Sequence, residues 1–197
     1  MDMPPKARIT KEMILNTVLE ITRTTGFDTV NARSIAGRLQ CSTQPVFTCY
    51  ENMDELKKDF LLSAYEYYKQ FVINYGNSEN ISPCLVLPLS YIEFAQKETH
   101  LFKMLFIKDM DLKMTEAEDF YKEIDNEERA RIFSETVGID FEHGKIIFLD
   151  LFLYTHGIAA LTATNKLSLD RNSAQKMVMN VLSAFIKQVK PDWNLSI

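Results

Sequence analysis

The chain has 197 residues, of which 46% are hydrophobic and 25% are charged, a composition typical of folded globular proteins rather than disordered ones. With only 6 glycines and 6 prolines, it favours long helices over an all-β fold rich in turns. We see no apolar signal core at the start and no run of apolar residues approaching membrane-spanning length, so we expect a soluble, cytoplasmic protein with no membrane partner.

Cysteine and histidine spacing argues against metal or redox chemistry. The three cysteines, Cys41, Cys49 and Cys84, match no zinc pattern, and the histidines are far apart. We therefore expect reduced thiols, no metal and no cofactor. An enzyme is the rival interpretation, but no Ser/His/Asp set, carboxylate pair or phosphate loop occurs at a suitable spacing, so we predict no catalytic activity.

The net charge of −5 is unevenly distributed along the chain. Residues 1–50 carry six basic and four acidic residues, a net charge of +2, which leaves −7 for the rest. This asymmetry suits a protein that contacts a polyanion with one end only.

The first predicted helix runs from Lys11 to about Thr25, with Thr10 as its N-cap and Gly26 as its stop. A second follows the N-cap Asn31. A short turn at residues 40–41 leads to a predicted N-cap at Ser42 and a third helix over residues 43–49. This spacing is that of a helix-turn-helix, although a plain helical bundle has the same pattern.

A fourth predicted helix opens at the N-cap Asn52, with Glu55 completing a capping box, and stops at Gly76-Asn77. Residues 77–84 form the clearest linker. Beyond it we predict helices over residues 83–98 and 101–107. A further predicted helix starts from a capping box of Thr115 and Glu118, and another follows a break at residues 125–126 and ends at Gly138.

The last two helices are strongly apolar. Residues 146–154 are apolar nearly all round except at Asp150, which predicts a buried helix. The final helix carries an unbroken apolar stripe from Ala174 to Val189. Such a pair suits either a core within one chain or a four-helix interface between two copies. We predict a homodimer whose interface includes Ala160, Met177, Val178, Val181, Leu182 and Phe185.

Residues 8 to about 60 resemble the DNA-binding domain of the TetR/AcrR family of bacterial transcriptional regulators. The resemblance is carried by Arg8-Ile9, Ile14-Leu15, Gly26-Phe27, "NARSIAGRL", Ser42, Val46-Phe47, Tyr50 and "NMDEL". It implies an all-α fold of about nine helices, with a helix-turn-helix domain at residues 1–52 and a ligand-binding, dimerising domain at residues 53–197. It further implies a double-stranded DNA operator as partner and a small apolar or aromatic inducer that releases a repressor.

In a helix-turn-helix the second helix enters the major groove and presents its polar side chains to base edges. Gln can bond adenine, and Thr offers a hydroxyl and a methyl group. Charged residues near this helix are candidates for phosphate contacts, and Lys6 and Arg8 are further candidates. The alternative for each is that its charge is only solvated at the surface. The predicted DNA-binding residues are Arg33, Ser42, Thr43, Gln44, Phe47, Thr48 and Lys57.

The sequence departs from the family pattern at Gln40 and Gln44, where the family has Gly, at Phe47, where it has Tyr, and at Met53, where it has Lys. The Tyr and Lys of the family commonly contact phosphates. Backbone N–H groups at helix starts are the remaining phosphate donors. We expect the salt slope of DNA binding to fall by roughly 1 to 2 units. A protein that keeps the fold for protein contacts or ligand binding but has lost specific DNA binding is the alternative.

Aromatic residues concentrate between Tyr65 and Tyr154. A packed core is one interpretation, and an apolar ligand pocket is the other. A subset of the family has Trp followed by His-Gly in this region, which resembles Phe152 and His156-Gly157 here. His156 is either a satisfied core residue or the polar anchor of the pocket. The predicted lining residues are Tyr68, Phe71, Tyr91, Phe102, Phe106, Phe120, Phe152 and His156.

Overall fold

A computed structural model describes residues 8–78, 81–108, 113–123 and 125–194, so Lys6 and two linker residues lie outside the described chain. Regular structure in these ranges is helical, and the predicted all-α class is confirmed. The chain divides into two compact units, one ending at Tyr67 and one beginning at Tyr68. The domain boundary that we predict lies after residue 52, and the first part of the fourth helix contributes its buried Leu56 and Phe60 to the first compact unit.

Four helices begin in the N-terminal unit, and side-chain caps explain the starts of the first two. Thr10 accepts a 3.2 Å bond from the N–H of Met13, and Asn31 and Ser34 form a reciprocal capping box. The third helix starts one residue later than predicted, and Ser42 is not its cap; Thr43 holds that position with no side-chain bond. The helices are α1 (Lys11–Thr25), α2 (Ala32–Arg38), α3 (Gln44–Cys49) and α4 (Met53–Ser78), with a short 3-10 turn at Phe27–Thr29.

The prediction that α4 stops at Gly76-Asn77 is wrong, since the helix continues to Ser78. A Cβ atom added at Gly76 would lie 3.1 Å from a methyl carbon of Val86. Gly76 therefore permits a close approach between two helices of the C-terminal unit rather than ending one of them.

The C-terminal unit is built around one long central helix, α8 (Phe141–Ala163), which packs against α5 (Pro83–Lys97), α7 (Asn126–Val137) and α9 (Arg171–Val189). Gly138 adopts the left-handed conformation (φ 71°) that ends α7, as predicted. The predicted box of Thr115 and Glu118 is instead formed by Glu116 and Asp119 at a 3-10 turn. The elements are α5 (Pro83–Lys97), α6 (Thr99–Lys103) with a π-helical turn at Met104–Lys108, a 3-10 turn at Ala117–Lys122, α7 (Asn126–Val137), α8 (Phe141–Ala163) and α9 (Arg171–Val189).

Helix α8 is apolar enough and long enough to cross a membrane by length and composition alone, which the sequence analysis did not anticipate. Its place in the unit explains the composition, because Ile147, Leu151 and Ile158 are buried against neighbouring helices. It is not buried all round, however. Ile146 is 62% exposed and Leu153 is 51% exposed, so within one chain the predicted burial of residues 146–154 holds on one side of the helix only.

Candidate nucleic-acid interface and aromatic cluster

The turn between α2 and α3 depends on one residue in a left-handed conformation. Gln40 has φ 51°, and the N–H of Cys41 donates a 3.0 Å bond to the carbonyl of Ala36. Glycine adopts this conformation without the steric cost that a side chain brings. The departure at Gln40 therefore places a strained residue in the helix-turn-helix.

Helix α3 has one buried side and one exposed side. Val46 and Tyr50 are buried in the N-terminal unit. Gln44, Phe47 and Thr48 are exposed, and their spacing places them on one face of the helix. This is the side that a groove-binding helix presents to DNA.

One hydrogen bond links the end of α3 to α4. The hydroxyl of Tyr50 donates to Oδ2 of Asp59 at 2.8 Å, and burial together with the Asp59 carboxylate raises the pKa of Tyr50. The ammonium of Lys11 lies 4.5 Å from the centroid of the Tyr50 ring. Tyr50 thus remains a protonated donor that holds the end of α3 in place.

The start of α4 does not suit phosphate binding as we expected. Oδ1 of Asn52 accepts from the N–H groups of Asp54 and Glu55 at 3.0 and 2.9 Å, and the Glu55 carboxylate accepts from the N–H of Glu51 at 2.6 Å. The first amide donors are therefore occupied. Asp54 and Glu55 lie in this first turn and Glu51 precedes it, so the local negative charge disfavours a phosphate here.

Basic side chains of the N-terminal unit differ in how they are held. Arg33 and Arg38 are exposed and make no ion pair within the described part of the chain. The ammonium of Lys57 lies 5.7 Å from the centroid of the Phe27 ring. Lys11 pairs with Glu55 at 3.7 Å. Arg38 belongs with the candidate phosphate contacts, and the sequence analysis missed it because a helix-end Arg has no motif of its own.

The eight predicted pocket residues lie in one network of ring contacts in the C-terminal unit. The Tyr91 ring has contacts with Tyr68, Phe102, Phe106 and Phe152 at centroid distances of 5.0 to 6.3 Å. Phe71 joins through Phe94, and Phe120 joins through Phe152. Phe94 is a member that the sequence analysis missed, since its position in the amino-acid pattern is that of any core residue.

One polar pair lies inside this aromatic cluster. The Tyr91 hydroxyl and Nδ1 of His156 are 2.9 Å apart. Burial lowers the pKa of His156, which favours the neutral ring. A neutral imidazole accepts a hydrogen bond at one nitrogen and donates one at the other. The Tyr91–His156 pair can therefore offer a donor or an acceptor to a polar group.

Two open surface depressions, of about 220 Å³ and about 300 Å³, lie along α9, and Met179 and Asn180 line each of them. None of the ring residues lines either depression. The aromatic rings contact one another directly, which fits the packed-core alternative in this conformation. The described residues include no group of three His, Cys, Asp or Glu side chains that could hold a metal, and the three cysteines are free thiols.

The predicted dimer residues fall into two sets. Val178 and Leu182 are 0% and 1% exposed within one chain, so no surface remains for a partner, and we assign them to the core. Ala160, Met177, Val181 and Phe185 are partly exposed. Because 3.6 residues make one turn, the exposed residues of α8 form a single stripe. The stripe consists of Glu142, His143, Ile146, Asp150, Leu153, Gly157 and Leu161.

No family model matches the sequence, and neither does any curated protein. A solved structure does match the fold: the crystal structure of a TetR-like transcriptional regulator from Rhodococcus sp. RHA1. The two chains share 13% sequence identity and a TM-score of 0.61, over 96% of this chain and 99% of the other. The fold is therefore that of a TetR-like regulator.

Proposed function

We propose that this chain is a cytoplasmic, homodimeric transcriptional regulator that binds a double-stranded DNA operator and has no catalytic activity. The supporting observation is the exposed face of α3, with Gln44, Phe47 and Thr48 opposite the buried Val46 and Tyr50. Two such helices in a dimer read half-sites about 34–36 Å apart. Arg33, Arg38 and Lys57 are the phosphate contacts.

A mobility-shift assay tests this proposal, with the purified full-length protein and the DNA upstream of its own gene. We expect a sequence-specific shift that Gln44→Ala weakens by about tenfold, because one base contact is worth roughly 1–3 kcal/mol. Gln70→Ala, on an exposed site in the second half of α4, is the matched control. The absence of any specific shift from a folded dimer contradicts the proposal.

A second candidate function is ligand binding or protein contact without specific DNA binding. The observation that favours it is the acidic start of α4, where Glu51, Asp54 and Glu55 are close in sequence and Asn52 occupies two amide donors. In that case the protein would bind specific and random duplexes equally weakly at low salt and neither at moderate salt.

The dimer interface that we propose is the exposed stripe of α8 together with the outer side of α9. Ile146, Leu153 and Leu161 are large apolar side chains at spacings of 7 and 8 residues, so they share one face. Gly157 lies on this face with no atom within 4 Å of an added Cβ. A second copy of the chain would cover this apolar surface, and the partly exposed Met177, Val181 and Phe185 of α9 would extend it.

For regulation, we propose that a small apolar or aromatic molecule binds among the rings of the aromatic cluster and releases the DNA. The polar Tyr91–His156 pair in otherwise apolar surroundings is the feature that supports this site. Because the rings are in contact, the ligand would select an arrangement in which they have moved apart. Tyr68 and Phe71 belong to α4, so their movement is the route by which a ligand would shift the population of DNA-binding states.

A thermal-shift screen with flat aromatic compounds tests this ligand site. Compounds that stabilise the protein should lose most of their effect in Tyr91→Phe, which keeps the ring and removes the hydroxyl. Tyr154→Phe, at a partly buried tyrosine whose ring is not among these ring contacts, is the matched control. Equal stabilisation of all three proteins would place the ligand elsewhere.

A further inference from the structure

The exposed face of α3 is unusual in chemistry, because it presents one amide and two apolar groups. Gln44, Phe47 and Thr48 occupy positions i, i+3 and i+4 of the helix. Phe47 is 51% exposed. Its ring has no polar atom with which to contact a phosphate.

The Thr48 hydroxyl is already committed. It donates a 3.0 Å hydrogen bond to the backbone carbonyl of Gln44, one turn earlier. With its hydroxyl turned to the helix, Thr48 offers mainly its methyl group outward. The amide of Gln44, in contrast, makes no hydrogen bond within the described residues, so its donor and acceptor are both available.

Each of these groups matches one feature of an A·T base pair. The side-chain amide of Gln pairs with N6 and N7 of adenine, and apolar groups contact the C5-methyl group of thymine. Guanine is read most often by Arg or Lys, and α3 contains neither. The face therefore lacks the commonest means of recognising a G·C pair.

We propose that α3 recognises A·T base pairs, with Gln44 on adenine and with Phe47 and Thr48 on thymine methyl groups. Phe47 is then a specificity-determining residue, and the ring that replaces the family's phosphate contact contributes to base recognition. This inference rests on the proposed DNA-binding function and adds the class of operator sequence.

The first step of the test is selection of duplexes from a random-sequence library with the full-length protein. We expect enriched half-sites with adjacent A·T pairs. Enrichment of half-sites dominated by G·C pairs would overturn the A·T readout and leave DNA binding intact. A selection that enriches no sequence would overturn the proposed function and this inference together.

The second step replaces single thymines of the enriched site with deoxyuridine, which removes only the methyl group. Wild-type protein should lose about fourfold in affinity at one or two positions, the effect of burying one methyl group. Phe47→Ala should bind the thymine site more weakly and show no further loss with deoxyuridine at the position that it contacts. Two results would overturn the role of Phe47. In the first, the losses of affinity from Phe47→Ala and from deoxyuridine simply add. In the second, deoxyuridine leaves wild-type binding unchanged at every position.

Since Phe47 is half exposed, its truncation should leave the fold intact. Circular dichroism and thermal melting of Phe47→Ala check this point. Thr48→Val adds a second independent arm, because it keeps the methyl group and removes only the hydroxyl that bonds to Gln44. It should retain the preference for thymine over deoxyuridine, and loss of that preference would contradict the assignment of its methyl group.

Discussion

The hydroxyl of Tyr91 on α5 lies 2.9 Å from Nδ1 of His156 on α8, and apolar rings surround the pair. This hydrogen bond joins the two helices of the C-terminal unit that share the most extensive packing. Burial lowers the pKa of His156 from its ordinary 6.5, so the folded protein binds a proton at this ring less readily than the unfolded chain does.

We therefore predict that His156 makes stability fall as the pH falls. Below about pH 6.5 the unfolded chain takes up a proton that the folded ring resists, so the free energy of unfolding decreases by at most about 1.4 kcal/mol per pH unit. His156→Phe should remove this part of the dependence. Urea denaturation at about pH 7.5 and about pH 5.5 measures the difference.

The control for this experiment is His100→Gln, at an exposed position of α6. It should follow the wild-type pH dependence. An identical pH dependence of stability in wild type and His156→Phe would show that the ring is protonated equally in both states, contrary to the effect of burial.

A second prediction concerns the close contact between α7 and α8. A Cβ atom added at Gly144 would lie 1.7 Å from Oγ of Ser134 and 2.7 Å from its Cβ, and the Ser134 hydroxyl is held by a 2.6 Å bond to the Ala130 carbonyl. Gly144→Ala must push the helices apart and should cost about 1–3 kcal/mol. Chemical denaturation measures this loss.

Gly37→Ala is the matched control, within α2 and with no atom within 4 Å of the added methyl group. It should raise stability by about 0.5–1 kcal/mol, the usual difference between Ala and Gly within a helix. If both substitutions changed the free energy of unfolding in the same direction, helix propensity rather than the contact with Ser134 would determine the effect at Gly144.

A third prediction follows from the left-handed conformation of Gln40. Gln40→Gly should relieve the strain at φ 51° and raise the stability of the N-terminal unit by about 1 kcal/mol. Arg38→Gly, two residues earlier and still helical, should lower it by up to about 1 kcal/mol. Thermal melting of each variant would reveal the effect, and a destabilised Gln40→Gly would mean that the side chain has contacts worth more than the strain.

Local signals along the chain predicted much of this fold, and contacts between helices account for what the sequence did not show. Thr10, Asn31 and Gly138 act at helix ends through their immediate neighbours, so their roles can be read from sequence. Gly76 has a role set by Val86, a partner on another helix. A glycine that ends a helix and one that allows two helices to meet have the same local sequence signal.

The same limit applies to the apolar helices. The stripe of α9 showed that Val178 and Leu182 lie on an apolar side, but periodicity does not say whether that side meets the same chain or a second copy. Both side chains are buried within one chain, so at these two positions the apolar side of α9 meets the same chain. For the exposed face of α3, in contrast, the spacing of the residues was enough to identify Gln44 and Thr48 as exposed. Their exposure follows from the periodicity of one short helix.

A fourth prediction tests the proposed dimer interface. Leu153→Glu should convert the dimer to a monomer, because a carboxylate would be buried against the partner's apolar surface, whereas the exposed site costs the single chain little. Ile132→Glu, at a 54% exposed site on α7, is the matched control and should remain dimeric. Analytical ultracentrifugation separates the two states, and a Leu153→Glu protein that stays dimeric would locate the interface away from α8.

The last prediction concerns Met53, which lies at the start of α4, where the TetR/AcrR pattern that the sequence resembles has a lysine. Met53→Lys adds a cation beside the side that we propose contacts DNA, and should partly offset Glu51, Asp54 and Glu55. Affinity for a DNA duplex should rise, and the slope of log affinity against log salt should steepen by about 0.9, the value for one phosphate contact. Fluorescence anisotropy over a series of salt concentrations measures the slope.

Gln70→Lys adds the same charge to an exposed position in the second half of α4 and controls for net charge. It should leave the slope nearly unchanged, because interactions over more than about 10 Å are screened at 0.1 M salt. Equal steepening in both variants would indicate general attraction between the protein and DNA, and Met53 would then have no special place at the phosphate backbone. A steeper slope in Met53→Lys alone would identify the start of α4 as a point where this chain has a weaker hold on DNA than its fold permits.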